Sequence, residues 1–239
     1  MAALEGTAYV LGTRRWGESG VVAVLFCPER GVVRGLIKRA DAAVLQPFNS
    51  VSYKHTRRLD TQLGSLQLEL VQSRAALWMG QSSSALGVAA AADILAALLP
   101  EEHPYPAIAA VLPPLLAGDW SWRAYAAFER VVLEHTGYGM YLNDPVPCAE
   151  GSALAYVSPT SWRAVPINVA RGWEHKLYIL PACWGGLEAD EATDCRAALA
   201  LTGALLQRAL HGPFAQEKLA SRARLVQLWE SRLPLSRAV

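Results

Sequence analysis

Five short runs of strand-forming residues, separated by turn-forming residues, lie close together at the start of this 239-residue chain. The predicted strands cover residues 8–13, 21–26, 32–37, 50–56 and 65–71. In the last run Leu66, Leu68 and Leu70 alternate with polar residues, which is typical of a half-buried strand. Because no long helical pattern separates the runs, the sequence predicts a small antiparallel barrel within a first domain of residues 1–80.

The class of this barrel bears on its function. An OB-fold is the most common barrel with five strands, and it often binds single-stranded nucleic acid. A five-stranded SH3-like barrel is the structural alternative, and the number of strands does not distinguish the two.

Basic residues in this region are candidates for binding the phosphates of a nucleic acid. They are Arg14, Arg15, Arg34, Lys38, Arg39, Lys54, Arg57 and Arg58. If they line one groove, the affinity for DNA falls steeply as salt is added, because binding releases counterions. Trp16 and Tyr53 lie near these positions and are candidates for stacking on bases. The alternative is that aromatic rings fill the barrel, which we expect for Phe48.

The charge of the chain is unevenly distributed, although its formal net charge is only +1. Residues 1–80 carry a net charge of +4, residues 81–195 a net charge of −8, and residues 196–239 a net charge of +5. Basic ends with an acidic middle favour two separated surfaces for a polyanion. Ordinary solvated charge is the alternative explanation.

The second predicted domain, residues 81–239, is mainly helical. Helices are predicted at residues 85–99, 104–116, 120–136, 190–211 and 217–232, and residues 72–79 are predicted to continue into the first helical stretch. Trp122, Tyr125 and Phe128 recur at helical spacing and indicate a core face. An irregular segment at about 142–181 contains a predicted β-hairpin, formed by residues 155–157 and 163–165. The predicted fold is therefore α+β, with the domain boundary near residues 75–82.

Motifs for catalysis or for cofactor binding are not found. The sequence has no phosphate-binding loop, no nucleophile elbow and no His-Glu-x-x-His pattern, and its five histidines are scattered. The four cysteines, Cys27, Cys148, Cys183 and Cys195, lack the paired spacing of a structural zinc site. We therefore expect a binding protein rather than an enzyme, without metal or other cofactor. The start lacks the features of a signal peptide, so we expect a cytoplasmic protein with reduced cysteines and no membrane contact.

Short motifs across nearly the whole chain resemble the bacterial RecO family. They are residues 11–19 (LGTRRWGES), 26–34 with the turn ERG, 38–40 (KRA), 45–48 (LQPF), 137–140 (GYGM), 156–159 (YVSP) with 163–165 (RAV), and 221–222 (SR). Each motif is short, but their order and spacing match the family's. The resemblance implies an OB-fold followed by a helical domain.

The resemblance also implies a function and a set of partners. RecO-like proteins bind single- and double-stranded DNA, anneal complementary strands, and act at the nucleoid. They work with RecR and in some systems with RecF, bind the C-terminal tail of the single-stranded-DNA-binding protein, and help to load RecA. We expect the barrel to contact DNA, with Arg222 and Arg224 of the last helix extending the path. One alternative is a protein adaptor whose barrel binds mainly RecR and little DNA. A second alternative is a hydrolase with an unrecognised site.

Two departures from the family pattern alter these expectations. Many members carry a four-cysteine zinc ribbon around the hairpin. Cys148 matches its first ligand, but Gly151 stands at the second position and the later pair is missing, so we expect no zinc here. In the loop between strands three and four, residues 41–43 read Asp-Ala-Ala where basic residues are usual, which weakens the expectation of DNA binding through that loop.

Overall fold

A computed structural model of the chain describes residues 2–18, 20–38, 41–57, 63–78, 82–148, 151–210 and 215–232. Five strands form a closed ring at its N-terminal end. They are β1 (Ala2–Trp16), β2 (Gly20–Cys27), β3 (Gly31–Ile37), β4 (Ser50–Arg57) and β5 (Gly64–Gln72). The ring has the order β1-β2-β3-β5-β4, with β4 pairing back onto β1.

The strand order identifies the class of barrel. Neighbouring strands pair in antiparallel fashion except β3 and β5, which pair in parallel at Gly35–Gly64 and Leu36–Ser65. This order, with β5 between β3 and β4, is that of an OB-fold, whereas an SH3-like barrel would follow the order of the chain. The OB-fold prediction is therefore confirmed. Alternate residues of the strands fill the interior, among them Val10, Ala23, Leu25, Val33, Val51 and Leu66.

Two elements of the barrel differ from their predicted bounds. β1 begins six residues earlier than predicted, because residues 2–9 pair along β4, and such pairing outweighs the low strand propensity of Ala, Glu and Gly. Residues 72–79 were predicted to be helical, but Gln72 still belongs to β5 and pairs with Ser50. The side chain of Asn49 then accepts a hydrogen bond from the amide of Arg74 at 2.9 Å. A single helical turn, α1 (Ala75–Trp78), follows, and Met79 of the predicted range lies outside the described residues.

The remaining described elements are mainly helical. The helices are α2 (Ser82–Leu98), α3 (Pro106–Leu116), α4 (Trp122–His135), α5 (Ile167–Ala170), α6 (Glu191–Ala209), α7 (Ala215–Lys218) and α8 (Ala220–Arg232). The predicted hairpin is present as β6 (Leu154–Val157) and β7 (Ala164–Pro166), and β8 (Tyr178–Ile179) adds a third strand beside β6. The α+β class is thus confirmed.

The chain divides into two compact units. The barrel unit comprises residues 1–120 with 212–225, and the helical unit comprises residues 121–211 with 226–239. The barrel unit therefore contains α2 and α3 in addition to the strands, and α2 packs against β1 and β2. The predicted boundary near residue 80 coincides with the change from strands to helices, and as a domain boundary it stays a prediction.

The helical unit is built around α4 and α6, which pack against each other. Ser121 caps α4 by accepting the amide of Ala124, and Asp190 caps α6 by accepting the amide of Thr193, as is usual at helix N-termini. Between the two helices, Thr202 donates a hydrogen bond of 2.6 Å to the buried carboxylate of Glu129. Across the described residues, no helix combines the length and the apolar composition that crossing a bilayer requires.

Candidate nucleic-acid interface

The outer face of β1, β2 and β3 carries a strip of basic, aromatic and aliphatic side chains. Opposite residues of paired strands share a face, and the core residues Ala23, Leu25 and Val33 define the inner one. One outer row joins Arg14, Val22 and Leu36, and the next joins Gly12, Val24 and Arg34. Neighbouring strands are about 4.8 Å apart, so each row spans about 10 Å. We call these two rows, with Trp16 and Lys38, the outer strip.

The outer strip is most open at the end of the barrel where β1 turns into β2. Arg14 is exposed, and Trp16 is 59% exposed. Trp16 pairs with Gly20, where a side chain would come within 2.6 Å of the Trp16 carbonyl oxygen. Lys38 directly follows β3 and is exposed, beside a cavity that Asp41 also lines. This end therefore combines two exposed cations with an indole ring, the pattern of side chains by which OB-folds bind single strands.

The middle of the strip carries an arginine that is already paired. Arg34 Nη1 lies 2.6 Å from Glu101 Oε1, and its Nη2 donates to the carbonyl oxygen of Ala96 at 2.9 Å. Arg57, at the end of β4, pairs with Glu102. The two glutamates belong to residues 100–103, which we call the acidic segment. Arg34 and Arg57 were predicted to bind phosphate groups. In this structure each of them forms an ion pair with a glutamate carboxylate instead.

Two further candidates from the barrel have other surroundings. Lys54 is exposed and pairs with Glu5 at 2.7 Å. Tyr53 is 3% exposed and lies in the barrel core, with its hydroxyl directed at the Cys27 sulfur at 3.8 Å. Burial, and then the hydrogen bond to Cys27, raises the pKa of the Tyr53 phenol. The Tyr53 ring thus fills part of the barrel interior, which was the alternative to base stacking for these aromatic residues. It offers no open face for a base.

The other candidates do not join the outer strip. Arg15 is exposed, but it lies in the row of Val21 and the buried Ile37, on the opposite face of its strand. On α8, Arg222 is buried whereas Arg224 is exposed. Arg39 and Arg58 lie outside the described residues. The structure therefore brings together Arg14, Trp16, Arg34 and Lys38, and the roles of all the candidates in binding stay predictions.

The pairing of Glu101 and Glu102 with barrel arginines was not predicted from the sequence. Neighbouring glutamates after a helix look like ordinary solvated charge. Their position depends on a short parallel bridge between Val32 and Glu101 and on hydrogen bonds at Val32. Gly31 permits this close approach, because a side chain there would lie 2.1 Å from the carbonyl oxygen of His103. The sequence predicted the turn at Gly31, but it did not indicate that the acidic segment lies against that turn.

Metal ligands do not gather within the described part of the chain, where no group of three or more His, Cys, Asp and Glu side chains could hold an ion. Cys148 and Cys183 are exposed, and Cys27 and Cys195 are buried. Although Cys183 is exposed as a residue, partial desolvation of its thiol, and then the carboxylate of Asp194, raises the pKa of Cys183 to about 11, which disfavours the thiolate that zinc requires. The residues present therefore do not fit a zinc ribbon.

Comparison with known proteins gives one family. Residues 1–74 match the family model described as Recombination protein O N terminal. A DNA repair protein RecO from Paracoccus denitrificans is 37% identical over 242 residues, covering 98% of this chain and 97% of the relative. One from Rhizobium etli (strain CIAT 652) is 36% identical and covers 92% of this chain and 90% of the relative. One from Cereibacter sphaeroides is 34% identical, with coverages of 92% and 95%.

Proposed function

This chain belongs to the RecO family, and from that membership we propose that it acts in DNA repair as a recombination mediator that binds single- and double-stranded DNA. In this role it anneals complementary strands and, with RecR, helps to load RecA onto strands coated by the single-stranded-DNA-binding protein. The C-terminal tail of that protein, and RecF where it is present, are further partners in the proposal. No catalytic activity is part of it.

The observation that carries the proposal is the open end of the outer strip. Arg14 and Lys38 offer two positive charges, and Trp16 offers an indole ring of which more than half is exposed. Stacking of one base on such a ring contributes about 1–3 kcal/mol. Half-buried Val22 and Leu36 lie between the charged positions and provide an apolar floor for a base or a sugar.

Annealing follows from electrostatics in this account and requires no nucleotide hydrolysis. Two DNA strands repel each other because each carries one negative charge per phosphate. Cations on the barrel neutralise part of that charge and lower the repulsion while the bases find their partners. The exposed Arg224 of α8 supplies a further positive charge in the same compact unit.

An annealing assay tests the proposal. The purified protein is mixed with two complementary oligonucleotides that carry a fluorophore and a quencher, without nucleotide or added metal. We expect quenching several times faster than without protein. Non-complementary strands serve as the control for aggregation and should show no quenching. Equal rates with and without protein would refute the annealing function.

One observation favours the adaptor as a second candidate. Arg34 and Arg57 are held by glutamates, and Lys54 is held by Glu5, so fewer barrel cations are open than the sequence implies. A barrel that serves RecR alone should bind an oligonucleotide weakly, with little dependence on salt. Fluorescence anisotropy at a series of salt concentrations separates the two, because phosphate contacts give a steep dependence.

A further inference from the structure

We infer that the cavity beside the acidic segment is a second phosphate-binding subsite of the barrel, whose arginines are held by Glu101 and Glu102 until a DNA strand displaces them. The inference rests on the proposed function, since it adds a regulated subsite to the same DNA-binding face. Its ligand class is the phosphodiester backbone of single-stranded DNA.

The cavity has a volume of about 380 Å³ and a balanced lining of charge. Its basic residues are Arg30, Arg34 and Arg57, and its acidic residues are Glu29, Glu101 and Glu102. The cavity extends from β3 to His55 on β4. In the strand order β5 lies between β3 and β4, but it pairs with β3 at only two positions. Once Glu101 and Glu102 leave, three arginines and one glutamate line the cavity, and this excess of positive charge favours an anion.

The arginines are held in place independently of the glutamates, at least in part. Arg34 Nη2 donates to the Ala96 carbonyl oxygen, a bond that does not involve Glu101. The Arg57 side chain is only 15% exposed, so the barrel wall restricts its motion. A phosphate that replaced the two carboxylates would meet guanidinium groups already positioned for charge-assisted hydrogen bonds.

The acidic segment is held weakly by comparison. Its backbone hydrogen bonds to Val32 measure 3.5 Å and 3.4 Å, beyond the usual range. Glu102 has a φ of +60°, a left-handed conformation that is strained for a side chain other than glycine. The Glu101 and Glu102 side chains are 48% and 52% exposed, and ion pairs with such exposed partners contribute little to stability. A polyanion can therefore compete with this segment.

The subsite is continuous with the outer strip. Arg34 belongs to both, because it lines the cavity and lies opposite Val24 on the outer face. The neighbouring row carries Leu36, Val22 and Arg14. A strand bound at the open end of the strip would thus pass Arg34 next, where its phosphates meet Glu101.

The test compares two double variants that lose the same charge. Glu101→Gln with Glu102→Gln releases the arginines, and Glu174→Gln with Glu188→Gln removes two exposed carboxylates from the helical unit. Anisotropy with a labelled oligo-dT measures affinity against salt. We expect the first variant to bind about fivefold to tenfold tighter than the wild type, from ion pairs of this exposure. The control should change affinity less than twofold.

Adding Arg34→Ala to the first variant should remove at least half of the gain. Thermal melts followed by circular dichroism establish that each variant is folded, and Glu102→Gln alone repeats the test with one ion pair if the double variant unfolds. Tightening no greater than in the control would refute the inference while leaving the proposed function in place. Absence of oligonucleotide binding by the wild type and by every variant would refute both.

Discussion

The two compact units use their basic residues differently. In the barrel unit, Arg14 and Lys38 lie exposed on the outer strip, whereas Arg34, Lys54 and Arg57 pair with glutamates. In the helical unit, several lie over aromatic rings, namely Arg123 over Trp122, Arg130 over Trp184, Lys176 over Trp173, and Arg208 over Trp162, at 4.5–5.7 Å. Cations in such contacts stabilise the fold through the ring quadrupole. This difference is one reason for our proposal that DNA binds on the barrel.

Buried polar groups also differ between the two units. The barrel unit buries the side chains of Asn49 and His55, whereas the helical unit buries the carboxylates of Glu129 and Asp194. Burial of a carboxylate is tolerated where hydrogen bonds satisfy it, here from Thr202 to Glu129 and from the amide of Cys183 to Asp194. Within the described residues, the helical unit thus depends on hydrogen bonds to buried carboxylates, whereas the buried polar side chains of the barrel unit include no carboxylate.

The largest expected effect comes from removing the open end of the outer strip. Substituting Arg14, Trp16 and Lys38 together by Ala should weaken oligo-dT binding about a hundredfold, since stacking contributes about 1–3 kcal/mol and two phosphate contacts are lost. The salt slope should become shallower by about 1.4. Fluorescence anisotropy at several salt concentrations measures both quantities.

The helical unit offers a matched control for this variant. Arg171, Trp173 and Lys176 also comprise two cations and one exposed tryptophan, with Trp173 58% exposed. Their triple substitution by Ala should change affinity less than threefold. An equal loss of affinity in the two triple variants would show that the barrel unit contributes no more to DNA binding than the helical unit does.

The second prediction concerns the polar pair of the helical unit. Thr202→Val removes the hydroxyl that donates to Glu129, and we expect a loss of about 2 kcal/mol in the free energy of unfolding, as is usual for a buried bond to a charged group. Thr7→Val, at an exposed position of β1, should cost less than about 0.5 kcal/mol. Urea unfolding followed by circular dichroism compares them. Equal losses in the two variants would show that the hydrogen bond from Thr202 to Glu129 contributes no more to the free energy of unfolding than an exposed hydroxyl does.

The smallest predicted effect is a pH dependence from the barrel. Burial, and then the positive charge of Arg57, lowers the pKa of His55, and its Nε2 atom is buried without a hydrogen-bond partner. The unfolded chain therefore binds a proton at a higher pH than the folded protein does. The contribution of His55 to stability is fully present above about pH 6.5, the ordinary pKa of His. This contribution is lost as the pH falls through the lower pKa of His55 in the folded protein.

Two variants isolate this contribution. His55→Gln should flatten the decline of the melting temperature below pH 6.5, and His103→Gln, at an exposed position, should leave that decline as in the wild type. Thermal melts at a series of pH values give the comparison. A decline that persists unchanged in His55→Gln would show that another group is responsible.

The elements of the barrel could largely be predicted because their signals are local. Alternation in β5 and the turn at Gly31 mark strands through the residues themselves. The helical spacing of Trp122, Tyr125 and Phe128 likewise marked α4 through the residues themselves. By contrast, residues 2–7 become a strand only through pairing with β4, which a reading of local propensity does not capture.

The candidate site was less predictable, because it depends on residues far apart in the chain. Which of two neighbouring residues faces outward is fixed by the register, so Arg14 joins the outer strip and Arg15 does not. Arg34 and Glu101 are 67 residues apart, and nothing in either segment alone indicates that they meet. For Tyr53 the sequence left two positions open, and the structure places its ring in the barrel core, which depends on the register of β4 and not on local sequence.

Photo-crosslinking tests most directly whether single-stranded DNA binds on the outer strip. An oligonucleotide containing 5-iodouracil is bound, irradiated and digested with trypsin together with the protein, and the modified peptide is identified by mass spectrometry. Our account predicts modification of the peptide that begins at Trp16, which follows the cleavage site at Arg15 and ends at Arg30. Modification confined to peptides of the helical unit, such as residues 172–176 with Trp173, would contradict it.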